Sequence, residues 1–187
     1  MGIEVSVVDD SDHVGWAAGA TRIGELALRN VTQMVNAVIA HMRTYVPPVS
    51  SHDITIHAMS HGRVPMPATP VAGSARLSRL NVLDHGNSSG GEFGSDWVTV
   101  SSFPTFSAQF QRLRPWFEQG GFAHLQHCEI GQNVRLLEMF ADAFGVPVVG
   151  GRGLHNPVYR ANFGYYTRAY PATGNSRRAA DTFFWRP

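Results

Sequence analysis

The chain has 187 residues, 43% of them hydrophobic, and a formal net charge of +1 at pH 7; this is the size and polarity of one domain able to bury a core without disulfides or a structural metal. All 15 basic residues are arginine, which removes the chemistries that need a lysine: P-loop phosphate binding, Schiff bases and kinase-type phosphoryl transfer. The single cysteine, Cys128, excludes internal disulfides, thiolate zinc clusters and CxxC redox chemistry.

The arginines are scattered apart from Arg112/Arg114 and Arg177/Arg178, so no basic stripe suited to nucleic acid is expected. No apolar run reaches the roughly 18 residues of a membrane span, and the first ten residues turn acidic too early for a signal peptide. The expected compartment is the cytoplasm.

In chain order, Ile3 to Val8 alternates as a strand, with Ile3, Val5 and Val7 on one side. From Thr21 to about Tyr45, Ile23, Leu26, Ala27, Val31, Met34, Val35, Val38 and Met42 recur at helical spacing, and Pro47-Pro48 ends the helix. Asp53 to Met59 reads as a second strand, followed by a loop containing Pro65, Pro67 and Pro70. Arg79 to Leu83 is a third strand that runs into Asp84-His85-Gly86, and Asn87 to Gly94 reads as an exposed loop.

Pro104 to Gln119 reads as a helix with Phe106, Phe110, Leu113 and Phe117 on one face, kinked near Pro115. Phe122 to His127 is a fourth strand, running into Cys128. Asn133 to Phe144 is a strongly periodic helix with Gly145 at its left-handed cap, and Val146 to Gly150 is a fifth strand. Tyr165 to Tyr170 and Thr182 to Trp185 add extended edge segments. Strands alternating with helices predict an α/β layer fold with a mostly parallel sheet, residues 1–187 forming one domain.

Two strands thus end at reactive groups, one at His85 and one at Cys128. Sites in open parallel sheets form beyond the carboxyl ends of the strands, so neighbouring strands would bring these two together. A thiol beside an imidazole is an activated nucleophile. Gly86 leaves a backbone N–H unobstructed beside the histidine. With the Cys128 N–H it would form an oxyanion hole, worth about 3 kcal/mol per donor in acyl transfer. The helix starting near Asn133 adds a small dipole contribution favouring thiolate.

These residues resemble the caspase-like cysteine peptidases, the clan of caspases, metacaspases, gingipains and a caspase-like domain of bacterial surface proteins. The resemblance rests on Leu80-Asn-Val-Leu-Asp-His85-Gly86 and Phe122-Ala-His-Leu-Gln-His-Cys128, two hydrophobic strands ending in His-Gly and in Cys, and extends from the first strand to about Gly151. His85 and Cys128 lie 43 residues apart, against about 50 in caspases. The Q-A-C-x-G signature is matched at Gln126 and Cys128, while His127 replaces Ala and the glycine comes late, at Gly131.

The resemblance implies a three-layer sandwich, its central sheet flanked by helices. It implies an endopeptidase acting on polypeptides without a cofactor or metal, Cys128 as nucleophile, His85 as general base and acid, Gly86 and Cys128 as oxyanion donors, and Gln126 lining the pocket for the residue before the scissile bond.

Other readings of the same residues stand beside this one. Ser60-His61-Gly62 ends the second strand in the same style, which makes His61 an alternative base. His57, His124 and His127 lie within strands, where structural roles are expected. A zinc set of His124, His127, Cys128 and Glu129 is disfavoured, because strand alternation sends His127 and Cys128 to opposite faces and no HExxH occurs. Gly90-Gly91 and Gly150-Gly151-Arg152-Gly153 lack dinucleotide-binding spacing, and the aromatic residues from Tyr159 to Tyr170 read as packing. The departures at His127 and Glu129 favour the alternative function, a non-catalytic caspase-like interaction module, since a carboxylate beside the thiol opposes its ionisation.

Overall fold

A computed structural model of the chain describes residues 2–9, 26–45, 75–156, 161–172 and 177–179. Its centre is a seven-stranded sheet. Five strands run parallel: β2 (Leu26–Ala27), β1 (Gly2–Val8), β3 (Arg76–Leu83), β7 (Phe117–Leu125) and β8 (Val148–Gly151), in that spatial order. Beyond β8 come β11 (Tyr166–Ala169), antiparallel to it, and β12 (Arg177–Ala179). Between β3 and β7 the chain forms a three-stranded antiparallel sheet of β4 (Gly86–Asn87), β5 (Gly90–Phe93) and β6 (Asp96–Thr99). A separate hairpin pairs β9 (Leu154–Asn156) with β10 (Ala161–Phe163).

Alternation along the strands decides what each face of the sheet meets. Ile3, Val5 and Val7 of β1, Leu80 and Val82 of β3, Ala123 and Leu125 of β7 and Val148 of β8 join one buried core. Helix α1 (Val31–Thr44) covers it with Val31, Met34, Val35, Val38, Ile39 and Met42. Asn30 caps this helix by accepting the Gln33 N–H at 2.8 Å, an interaction worth about 1 kcal/mol. Helices α2 (Phe103–Gln111) and α3 (Val134–Phe144) complete the layer through an aromatic cluster. In it Phe140 meets Phe103 edge-on at 4.9 Å and Phe110 at 5.0 Å between ring centroids. Asn133 caps α3 through the Leu136 N–H, and Gly145 ends it at φ 71°, the left-handed conformation a C-cap favours.

The opposite face carries a polar row. Asn81 Nδ2 donates to Glu4 at 2.7 Å and to Ser6 at 3.2 Å. Arg79 donates to Asn81 at 2.8 Å and is paired with Glu4 at 3.6 Å. The fold is therefore mixed α/β with a mostly parallel sheet. The three described helices all lie on one face; a sandwich also requires helices on the other, and none of the described helices lies there. None of the described helices is long and apolar enough to cross a membrane.

Three expected elements differ. The long helix from Thr21 is instead β2 followed by α1: Leu26 and Ala27 pair with Val7 and Val8, and Asn30 is extended at φ −169°, so the helix starts after it. The helix expected to reach Gln119 stops at Gln111. Pro115, which cannot donate a helical hydrogen bond, sits in a 3-10 turn, Arg114–Trp116, and Phe117 opens β7. The segment Asn87 to Gly94, read as an exposed loop, is folded into β4 and β5 with Gly90, Gly91 and Phe93 buried. Its glycines answer to close packing. A Cβ on Gly90 would come within 2.4 Å of the Val98 carbonyl oxygen, and one on Gly91 within 2.9 Å of the His127 ring. The strand expected at Asp53 to Met59, with His57, the proline loop and His61 after it, and the segment Thr182 to Trp185 lie outside the described residues.

Candidate functional site

β3 and β7 are parallel neighbours, with Val82 opposite Leu125, so Asp84-His85-Gly86 and Gln126-His127-Cys128 leave the sheet side by side at its carboxyl edge. The Gln126 N–H still donates to the Val82 carbonyl at 2.7 Å, which holds the two exits together. Beyond it the backbones touch: a Cβ on Gly86 would lie 2.7 Å from His127 Cβ and 3.2 Å from the carbonyl oxygens of Cys128 and Gly90. A glycine is required there by approach, since backbone cannot yield as a flexible side-chain tip can.

His85 is half-buried, and its carbonyl accepts the Glu92 N–H at 2.8 Å. That bond makes Gly86 and Gly91, which face each other across the ladder, a pair that exchanges no hydrogen bonds of its own. The Gly86 N–H consequently points away from β5.

Asp84, which carries no signal of its own in the sequence, is 3% exposed. One carboxylate oxygen accepts the His85 N–H at 2.7 Å and the other the Gly94 N–H at 2.8 Å. Burial pushes its carboxyl up to about 6, opposed by these two amide bonds and reinforced by Asp9 and Glu92. Gly94 itself, at φ 61°, lies against the Arg29 backbone, and the Ser95 N–H donates to the Arg29 carbonyl at 2.9 Å.

His127 is wholly buried. Its Nε2 lies 2.7 Å from the Glu92 carbonyl oxygen, to which it donates, and its ring packs 5.0 Å from that of Phe93. Burial lowers its pKa to about 4 against the pull of the Glu92 bond, with His85 adding to the lowering. The imidazole is therefore neutral at pH 7 and acts as a peg joining β5 to the end of β7, the structural role expected of it.

Cys128 is half-buried. Its sulfur accepts the backbone N–H of His155 at 3.4 Å and lies 4.0 Å from the His155 carbonyl oxygen, so β9 runs along the thiol. Glu129 follows at φ 55° in the left-handed region, its N–H donating to the Gly153 carbonyl at 2.8 Å. A 3-10 turn, Ile130–Gln132, then intervenes before α3. His155 has no sequence signal as a neighbour of the thiol, from which it is 27 positions away. Burial, helped by His127, lowers its imidazole to about 4.

Gln126 turns to the polar face of the sheet. It is buried, with Nε2 3.4 Å from the Asn81 side-chain oxygen and 3.3 Å from His124 Nδ1. Its Oε1 is buried without a hydrogen-bond partner among the described residues. His124 lies in the same row, its pKa lowered well below the ordinary value by burial and then by His155, Arg79 and His127. The structure thus brings His85, Gly86 and Cys128 to one edge, sets Gln126 and His124 on the face behind it, and adds Asp84 and His155. Among the described residues no three His, Cys, Asp or Glu side chains converge as metal ligands. No protein-family model matches the chain, and no curated protein matches its sequence.

Proposed function

We propose that the chain is a cysteine-dependent hydrolase of the caspase-like type, an endopeptidase with a Cys128/His85 dyad, acting on polypeptides in the cytoplasm and built on a caspase-like sandwich. The observation that carries this reading is the side-by-side exit of His85-Gly86 and Cys128 from adjacent parallel strands, with the Gly86 N–H turned away from its hairpin partner. In this mechanism the Cys128 thiolate attacks the scissile carbonyl, and the Gly86 and Cys128 N–H groups stabilise the oxyanion. His85 passes the thiol proton to the leaving amine. Water, deprotonated by His85, then cleaves the thioester to acid and free thiol. The His155 N–H at the sulfur supports the thiolate as a hydrogen-bond donor, and Gln126 is the candidate for the wall of the pocket before the scissile bond.

The test is cleavage of a mixed peptide library by the wild type, Cys128→Ala and His85→Ala. Loss of cleavage in both variants is expected; cleavage retained in Cys128→Ala overturns the mechanism. The second reading, a non-catalytic interaction module, is favoured by the thiol's hydrogen bonding to main chain of β9. A module labels slowly with iodoacetamide and shows no pH step below the free-cysteine range near 8.5.

A further inference from the structure

We propose that Asp84 is the positioning residue of this site: by accepting the His85 and Gly94 amides on its two carboxylate oxygens, it clamps the end of β3 to the β5–β6 turn and so fixes where His85 stands relative to Cys128. The inference rests on the dyad reading and concerns how that dyad is held.

Asp84 is almost fully buried, and both of its oxygens are engaged by backbone N–H groups at 2.7 and 2.8 Å. One of these amides belongs to the histidine itself. The other belongs to a turn that is anchored independently, through Ser95 on Arg29 and through Val31, whose N–H donates to Asp96 at 3.0 Å. The His85 carbonyl is tied to Glu92 in the same hairpin, so the peptide units on both sides of the histidine Cα are fastened to one rigid body. Only a group accepting at both oxygens can do this, and a carboxylate does so with charge-assisted bonds. Protonation converts one oxygen to a donor facing an N–H and releases one arm of the clamp.

Among the described residues, Asp9 from the end of β1 and Glu92 from β5 oppose the ionisation of Asp84, and His85 is next to it in the chain. The turn meets it through the Gly94 N–H. Asp84 Oδ2 therefore holds the turn tightly only above the pH at which it loses its proton, about 6.

Two measurements test the proposal. In the wild type, the amide resonances of His85 and Gly94 should titrate together with a midpoint near 6; two amides that fail to titrate together overturn the clamp. The second measurement is the rate of iodoacetamide labelling of Cys128 against pH in the wild type, Asp84→Asn and His85→Ala. In Asp84→Asn the carboxamide retains one acceptor and turns a donor on the other amide. The labelling rate of this variant at pH 6.5 should fall about tenfold, towards that of His85→Ala.

A wild-type step below the free-cysteine range, lost in His85→Ala but unmoved in Asp84→Asn, leaves the dyad standing and overturns Asp84 as its positioner. No such step in the wild type overturns the dyad and the positioning with it. If Asp84→Asn does not fold, the coupled amide titration of the wild type decides.

Discussion

Taking the protein from pH 7.5 to 5 puts protons on the imidazoles of the unfolded chain while the fold keeps its buried ones neutral. Folded His127 and His155 resist protonation down to about 4, whereas unfolded imidazoles take up protons near 6.5. Between these values the unfolded chain binds more protons, so stability falls as pH falls. At pH 5 each histidine has lost about 2 kcal/mol of its contribution, and the pair about 4 kcal/mol.

Asp84 acts in the opposite sense. Its folded pKa of about 6 exceeds the unfolded value, so acid favours the folded state by about 1 kcal/mol over the same interval. The net loss is about 3 kcal/mol, and His124, lowered in the same direction, adds to it. Against a total of about 5–15 kcal/mol for a domain this is large. Urea unfolding followed by tryptophan fluorescence at pH 7.5, 6.5, 5.5 and 5 measures it. His127→Gln, which keeps a donor for the Glu92 carbonyl, should flatten the dependence by about 2 kcal/mol. A protein as stable at pH 5 as at 7.5 would refute the reasoning.

Gly86→Ala places a Cβ 2.7 Å from His127 Cβ and should cost about 1–3 kcal/mol, read as a lowered melting temperature of about 2–4 °C per kcal/mol; an unchanged Tm contradicts the close approach. Phe140→Ala empties the centre of the aromatic cluster between α2 and α3 and should cost about 3–5 kcal/mol in chemical denaturation. Asn133→Ala removes the cap of α3, a loss of about 1 kcal/mol, while Asn133→Asp keeps the cap and should recover most of it; the two midpoints, compared at pH 7.5, separate capping from the second bond of Asn133 to the Ser89 carbonyl.

The sheet was legible because period two is written plainly where one strand face is buried: Ile3, Val5 and Val7 enter the core while Glu4 and Ser6 do not. Helix α3 was legible at both ends, from Asn133 and Gly145. The carboxyl edge was legible too, because the runs ending at His85 and Cys128 lie on adjacent strands. The hairpin after Gly86 was not. Glycine marks an exposed turn and a tight backbone contact alike, and only the position of His127 shows that Gly91 belongs to the second kind. Asp84 was hidden by its place beside His85, since chain adjacency says nothing of an acceptor for Gly94. The approach of His155 to the thiol depends on the β9–β10 hairpin, a non-local feature with no periodic signature.

The location of the reactive groups follows from the same backbone arithmetic. Where β3 and β7 leave the sheet, N–H and C=O groups lose their ladder partners and, being buried, need others. Asp84 accepts one of those amides, that of His85, together with the Gly94 amide of the β5–β6 turn, and His127 donates to the Glu92 carbonyl of β5, each on condition of one protonation state: the carboxyl ionised, the imidazole neutral. Both conditions hold above about pH 6. A low-dielectric pocket makes each of those bonds strong; it makes the charged form of His127 costly, whereas at Asp84 it favours the proton, so the carboxylate's condition is the first to fail on acidification. The polar residues that close the sheet edge therefore also restrict the pH range in which the edge is rigid, and the proposed Cys128/His85 dyad requires that range for its activity.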